Sequence, residues 1–487
     1  MSEVKVNKIS PRTNCGTTQL GDAGDTITVT GDLKSNSLKP ATGTTLTLGA
    51  SGDTITLASG ASQSGFGRTG TVDWQTGSIK TADFTAANGE GYFVNTTSGA
   101  VTVTLPASPS AGDIVAVADY AGIAGTNNIT INRNGSNFEG TTLNGAVATN
   151  RQTATMVYVD GTQGWVVVNS NDTSFLEAGF VAATGGTVTT CGDFKIHTFT
   201  GPGTFAVSNA GNVVGSSTVS YLVVAGGGGS GGSESGAWGG AAGGGAGGFR
   251  ESKASYDTYT ASPLNATSGP TYNLPVSVQS YPITVGGGGS GGPGPNGPSN
   301  GSGAKGSNSV FSTITSAGGG GGRGATPGRG PQDQIDGGSG GGGKTGTPYT
   351  PGSGNTPPVS PAQGFDGGTG LVAGNAYAMG GGGGATATGV SPPGPNTGSN
   401  GGAGATTNIP GSPISKSGGG GSGAALSNTA GNGGAGGGAN GGSGPSPGNS
   451  ASANTGGGAG GAAGSNTSPL SGGSGGSGIV VIRYKFQ

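Results

Sequence analysis

Between Gly226 and Gly478, tracts of glycine alternate with spacers rich in Pro, Asn, Ser and Thr. This alternation restricts the possible folds more than any other feature of the chain. Examples are AAGGGAGG (Ala241–Gly248), GGGGSGG (Gly286–Gly292), AGGGGGRG (Ala317–Gly324), GGSGGGG (Gly337–Gly343), MGGGGG (Met379–Gly384) and SGGGGSG (Ser417–Gly423). There are roughly a dozen tracts of about 4–14 residues, which makes an array rather than one insertion. Glycine supplies 117 of 487 residues, against about 7% in ordinary chains. A glycine tract has no side chain to bury, and ordering it costs more entropy than ordering any other residue.

Gly/Ser-rich stretches of this kind often serve as flexible linkers. Three features favour an ordered array instead. The tracts are too numerous and too evenly spaced for a tether. Apolar strands run straight into them: YLVVA into GGGG, PITV into GGGG, TITSA into GGGGG. The last residues, IVVIRYKF, alternate like a strand and need a partner from far back in the sequence, which closes the glycine-rich region inside one fold. The ordered form expected is a packed bundle of polyglycine-II helices. Such a helix has about three residues per turn, rises about 3.1 Å per residue and makes no internal hydrogen bonds. Its N–H and C=O groups must find partners on neighbours, and the missing Cβ lets those neighbours approach.

The rest of the chain reads as all-β. Residues 1–66 form an N-terminal attachment and shaft region of fibrous β repeats. LGDAGDTITV (Leu20–Val29) returns as LGASGDTITL (Leu48–Leu57), a tight turn followed by a short alternating strand each time. Units this small need stacking or chain association, and a homotrimer is expected. Asp25 and Asp53 are read as turn residues. Residues 67–175 form a compact all-β domain with strands at GYFVN, AVTVTLP, DIVAVADY, NITINR, TATMVYVD and GWVVVN. Trp74, Phe93, Tyr120, Tyr158 and Trp165 are expected in its core or half-buried on its strands. Residues 176–487 form a glycine-rich domain, in which strands at 193–225 and 479–487 enclose the tracts of 226–478.

Composition excludes several functions. Lys+Arg number 19 and Asp+Glu 21, for a net charge of −2. That leaves no electrostatic footprint for nucleic acid or an anionic membrane. No run reaches the ~18 apolar residues of a membrane span, and MSEVKVNKISPRTNCG has no apolar signal core. Cys15 and Cys191 lie far apart and outside any CxxC pair, so both are read as buried or incidental thiols. GSGGGGKT (Gly338–Thr345) fits the phosphate-loop pattern, but no apolar strand precedes it and proline stands where the helix should begin. Two arginines in GRGATPGRG are too few for an RNA-binding segment. One histidine, His197 in the strand KIHTF, few carboxylates and no GxSxG elbow argue against catalysis. No cofactor, metal or catalytic residue is expected.

HTFTGPGTFAVS, SYLVVAGGGG, PITVGGGGSGG, NSVFSTITSAGGGGG and GGSGGSGIVVIRY occur in that order. Over roughly residues 193–487 this resembles the glycine-rich domain at the ends of many phage tail fibres. MSEVKVNKISPRT and the strands of the compact domain are similar to segments of tail-fibre proteins of cyanophages. The resemblance implies a β module joined to a polyglycine-II bundle whose loops contact the host. It also implies a virion protein assembled in the host cytoplasm. Its N-terminus would join the phage tail, the baseplate or another fibre protein. Its receptor would be lipopolysaccharide, another glycan or an outer-membrane protein. The competing classes are a purely structural fibre and a glycan-degrading tailspike. Because glycine offers no side chains, specificity must come from the spacers, where aromatic residues give flat contact area. The candidates are Trp238, Phe249, Tyr256, Tyr259, Tyr349, Phe365 and Tyr377, with Arg250, Arg323, Arg329 and Lys344 for anionic ligands. Tyr349 and Phe365 lead, since the spacer Lys344–Asp366 shows no strand pattern. Phe311, in SVFSTIT, is assigned to the core.

Overall fold

The structure is a computed structural model. It describes residues 72–487 except 172–174, 176, 213, 235–238, 294–300, 326–331, 345–349, 374–375, 396 and 426–427. The chain divides into two compact units, Met1–Thr69 and Gly70–Gln487. The repeats of residues 20–57, with Asp25 and Asp53, and Cys15 lie outside the described residues.

The first nine strands are β1 (Asp73–Trp74), β2 (Phe84–Thr85), β3 (Glu90–Val94), β4 (Val101–Thr104), β5 (Ile114–Asp119), β6 (Ile129–Asn132), β7 (Gly145–Val147), β8 (Thr153–Asp160) and β9 (Gly164–Ser170). The Val-Thr and Ile-Thr alternation of β4 and β6 buries every second side chain. Successive strands go alternately to two sheets. β1, β3 and β5 pair in parallel in one, and β2, β4 and β6 pair in parallel in the other. The result is three stacked turns of a two-sheet coil, closed by antiparallel β7 on one sheet and β8–β9 on the other. Val103, Leu105, Val117, Ile131, Met156 and Trp165 fill the space between the sheets. Phe93 and Tyr158 are half-buried, as expected. Trp74 and Tyr120 are 37% and 54% exposed, which corrects their assignment. Trp74 sits on an edge strand, its ring over Gly91 and 5.0 Å from that of Phe93, while Tyr120 follows the last residue of β5.

The next strands are β10 (Val181–Thr184), β11 (Thr187–Cys191), β12 (Phe194–Phe199), β13 (Gly203–Ala210), β14 (Thr218–Val224), β15 (Phe249–Ser252), β16 (Leu274–Pro275), β17 (Ser280–Thr284), β18 (Ser309–Phe311) and β19 (Ile314–Ser316). After them come a single helical turn, α1 (Gln332–Ile335), then β20 (Leu371–Ala373), β21 (Ala376–Ala378), β22 (Ala405–Thr407), β23 (Ile414–Lys416) and β24 (Ile479–Lys485). One sheet has the order β10-β13-β17-β18-β19 and the other β11-β12-β24-β14-β15. Strand β24 lies between β12 and β14, so Ile482 faces both His197 and Tyr221. The chain terminus thus returns to the centre of a sheet, and every tract is inserted between two neighbouring strands. Phe205, Tyr221, Phe311, Ile482 and Tyr484 form the core between the sheets. Phe249, Tyr259, Ile409, Val224 and Val481 form a second core on the outer face.

His197 joins three of these strands. Nδ1 lies 2.7 Å from the Gly185 carbonyl and Nε2 3.0 Å from the Tyr484 hydroxyl, which accepts from the Ala183 N–H at 3.1 Å. With Nδ1–H donating to Gly185, Nε2 is free to accept from Tyr484, so the ring is neutral. Burial holds its pKa below the ordinary 6.5, against the opposing pull of the Gly185 carbonyl. The unfolded chain therefore binds this proton at a higher pH than the folded one. The stability tied to neutral His197 is complete above about pH 6.5 and drains as pH falls through the lowered value. Glu251 acts in the opposite sense. Burial raises its pKa, so its contribution is present below its ordinary 4.5 and is lost as pH rises through the raised value. Chemical denaturation of wild type and His197→Gln between pH 7.5 and 5 separates the two. The gap between the variants should shrink as pH falls, and a pH-independent gap would remove His197 from the acid response.

The glycine tracts contain neither helix nor strand, yet their backbone groups are paired in a strict rotation. In the tract after β14, Gly226, Gly229 and Gly232 donate to Ser307, Ala304 and Gly301. Gly227, Ser230 and Ser233 donate to Gly476, Gly473 and Leu470, and Gly228 and Gly231 to Gly245 and Ala242. The carbonyls follow the same period. Those of Gly226, Gly229 and Gly232 accept from Gly319, Gly322 and Ala325; those of Gly227 and Ser230 from Gly289 and Gly292; those of Gly228 and Gly231 from Ala459 and Ala462. One tract is therefore surrounded by six segments, three accepting from its N–H groups and three donating to its carbonyls. At the glycine positions the separations leave no room for a side chain, while Ser230 and Ser233 fit by donating from Oγ to the Gly460 and Ala463 carbonyls. A Cβ on Gly228 would stand 2.1 Å from the Gly320 carbonyl oxygen.

Candidate functional site

The order of the tracts gives the array two ends. β14 and β17 end where Gly226 and Gly286 begin, and β15 and β24 begin where Gly248 and Gly478 end. These four positions are neighbours: Ala225 donates to Gly248, and Gly478 to Gly286. At the opposite end Gly232 donates to Gly301, Ser233 to Leu470, and Ala325 to Gly232. The spacers that leave Ser233 and Ala325, or that lead into Gly301, thus connect the ends remote from the strands. The glycines hold up a set of loops without contributing side chains to them.

Two expected site residues meet at this remote end. Lys344, which closes the tract Gly337–Gly343, places Nζ 5.3 Å from the centre of the Tyr377 ring and donates to the Ala325 carbonyl at 3.2 Å. Burial lowers its pKa, and the nearby carboxylate of Glu234 opposes that shift. Glu234 Oε1 is itself buried without a hydrogen-bond partner. The Tyr377 ring stays 38% exposed. A half-exposed aromatic face, an ammonium and a carboxylate together are suited to a ligand with an apolar face and hydroxyl or anionic groups. Glu234 was missed in the sequence. Its one visible signal was a carboxylate at the exit of a glycine tract.

Four candidates belong to the core. Phe249 is 1% exposed in β15, packed with Leu222, Tyr259 and Val481. Arg250, next to it, is buried, donates to the Thr315 carbonyl at 3.4 Å and has its pKa lowered by burial. Tyr259 is buried in the outer core, and burial raises its pKa. Arg323 is 3% exposed and reaches Thr350 O and Gln332 Oε1 inside the array. Each is withdrawn from the surface because strand pairing or tract packing directs it inward. Tyr256 is half-buried: it lies parallel to Phe194 at 6.3 Å, its hydroxyl donates to the Thr218 carbonyl, and burial pushes its pKa up to about 12. Trp238, Arg329 and Tyr349 lie outside the described residues.

Phe365 is 38% exposed but sits apart from Tyr377. The spacer Lys344–Asp366 is not one loop. Gly352 donates to Gly341, Asn355 to Gly338 and Thr356 to Gly337, so this stretch runs back antiparallel to the tract. Gln363 then meets Phe249 and Ala317 at the strand end, and Phe365 returns beside Gly340. A proline-containing stretch can line the array where its N–H groups are not needed, which is why the sequence showed no pattern there.

Beneath the outer core lies one buried ion pair. Arg483 Nε is 3.1 and 3.0 Å from the two carboxylate oxygens of Asp257, both side chains are within 5% of complete burial, and Phe194 covers the guanidinium at 4.2 Å. Cys191 is a half-buried free thiol. Among the described residues no group of three or more His, Cys, Asp or Glu is placed to hold a metal ion. No helix among them is long and apolar enough to cross a membrane.

No curated protein matches the chain. A family model described as a glycine-rich domain matches residues 200–485, from the turn before β13 to the end of β24. The match spans more than half of the sequence and covers the glycine array together with most of the strands that hold it, so the chain belongs to the glycine-rich domain family.

Proposed function

We propose that this chain is a phage tail-fibre adhesin that binds the host surface through the loops at the remote end of its glycine array. It acts as a homotrimeric virion component, joined to the tail, baseplate or another fibre protein through its N-terminal region, and it performs no catalysis. The tracts act as polyglycine-II helices. The three-residue hydrogen-bond period and the six-neighbour packing around Gly226–Ser233 support that reading. The observation that carries the function is the separation of the two ends: the strands at one, and the spacers bearing Glu234, Lys344 and Tyr377 at the other. Such a scaffold lets loops vary without altering the lattice.

The test is binding of the purified protein to bacterial cells and to immobilised surface polysaccharides. Tyr377→Ala should weaken binding about tenfold or more, as loss of an aromatic anchor does, with the unfolding midpoint nearly unchanged. Phe365→Ala, remote from Lys344, should leave binding intact. Unaltered binding by folded Tyr377→Ala would remove this cluster from the site. Release of soluble sugar would replace the adhesin with a depolymerising tailspike.

A further inference from the structure

The tract Gly286–Gly292 lies on the rim of the array, and its burial repeats every three residues. Gly286, Gly289 and Gly292 are buried, while Gly287, Gly288 and Ser290 are exposed and Gly291 is half-exposed. Three of its six lateral directions are filled. Gly289 and Gly292 donate to Gly227 and Ser230. The carbonyls of Gly286, Gly289 and Gly292 accept from Gly478, Gly475 and Gly472. Those of Gly287 and Ser290 accept from Ser307 and Ala304. The remaining directions are open among the described residues: the N–H groups of Gly287 and Ser290, the N–H groups of Gly288 and Gly291, and the carbonyls of Gly288 and Gly291. This is the lattice counterpart of an unprotected edge strand, which is a template for pairing with another chain. The usual safeguards are missing, because the outward positions carry no charge, no proline and one serine. The rim segment Gly448–Ala453 differs. Its outward positions hold Asn449, Ser450, Ser452 and Ala453, which keep a neighbour at a distance.

We propose that the open face of Gly286–Gly292 is a self-association edge at which a second copy of this chain continues the lattice. The inference rests on the homo-oligomeric reading above and places an interface within the tip. The matching partner must present N–H and C=O rows repeating every three residues, with no Cβ in the way, and no net charge. A copy of the same rim meets all three conditions. Within the array the contacts around Gly226–Ser233 run one way, one tract donating and its neighbour accepting, except at the loop end, where Ser233 and Leu470 exchange bonds. The contact is therefore heterologous: the donor row of one copy meets the carbonyls of Gly288 and Gly291 in the next. Such contacts close into rings or grow into filaments.

The test combines amide hydrogen exchange on the full chain with sedimentation. A Cβ on Gly287 meets nothing within 4 Å, and Ser290 is exposed, so Gly287→Lys/Ser290→Lys should fold normally while blocking lateral approach. Wild-type amides at 288 and 291 should exchange about tenfold or more slowly than the same amides of the variant. Protection of Gly226–Ser233 should be equal in both, which verifies the variant's fold. Equally fast exchange at 288 and 291 in both proteins would overturn the edge. If the chain then sediments as a trimer, the homo-oligomer stands without it; if it sediments as a monomer, both fall.

Discussion

Gly341→Val should unfold the glycine array while leaving the two-sheet coil of residues 72–170 intact. A Cβ at this position would stand 2.0 Å from the Gly321 carbonyl oxygen and 2.6 Å from its carbon. Both are backbone atoms of Gly321, whose N–H is tied to the Gln334 carbonyl, so neither can give way as a side-chain tip would. Relieving the contact means separating two tracts, which breaks a row of hydrogen bonds in a dry interior. The expected loss exceeds the roughly 4–5 kcal/mol at which single substitutions become exceptional. Gly341→Ala should already be severe. Gly394→Ala is the control, because nothing lies within 4 Å of its added Cβ. Limited proteolysis is the measurement: rapid cleavage throughout 226–478 in Gly341→Val, with Gly394→Ala resistant like wild type. A resistant Gly341→Val would mean the tracts are not close-packed at this level.

Arg483→Met should be the most damaging change in the β module. Its guanidinium is the sole ionic partner of the Asp257 carboxylate among the described residues, and it also donates to the Ile409 carbonyl from the other side of the outer core. Removing it leaves a buried charge held by two neutral donors, the Ser220 hydroxyl at 2.8 Å and the Thr258 N–H at 2.9 Å. Breaking a buried pair on one side costs about 3–5 kcal/mol, most of it the stranded charge rather than the lost bond. The double variant Arg483→Met/Asp257→Leu should therefore recover much of the loss. Denaturant midpoints of the two single variants and the double variant read this directly. Additive losses would show that the two groups act independently.

Strand content was legible because alternation is a local property. Val101–Thr104 and Ile129–Asn132 emerge where period-two alternation predicts them, and Thr218–Val224 and Ile479–Lys485 where apolar runs buried on both faces do. The sequence also held a signal for the lattice that went unread. SGGSGGSG (Ser471–Gly478) places Ser471 and Ser474 on the exposed side, with Ser477 half-exposed, and buries Gly473 and Gly476. That is a three-residue period, written out wherever a rim tract turns one row to solvent. The 28-residue spacing of the N-terminal repeat likewise matches that of the solenoid partners Val101 and Ile129.

The choice of site residues depended on tertiary structure. Phe249, Arg250 and Arg323 follow or interrupt glycine tracts in the same way as Lys344, and Tyr259 lies in a spacer as Tyr377 does. Nothing local distinguishes a spacer that returns to the strands from one that caps the remote end. That distinction is set by which way each tract runs and which segments accept its bonds, a relation among residues as distant as Gly227 and Gly476. By itself the sequence determined that the chain is all-β, that its glycines form an ordered array and that the C-terminal strand closes it, because pattern and propensity act over a few residues. The tertiary structure alone decided the strand order of the parallel coil in residues 72–170, the six neighbours of Gly226–Ser233 and the pairing of Lys344 with Tyr377. These depend on which distant segments exchange hydrogen bonds and pack together, whereas a local three-residue or 28-residue period shows only that a lattice or a repeat exists.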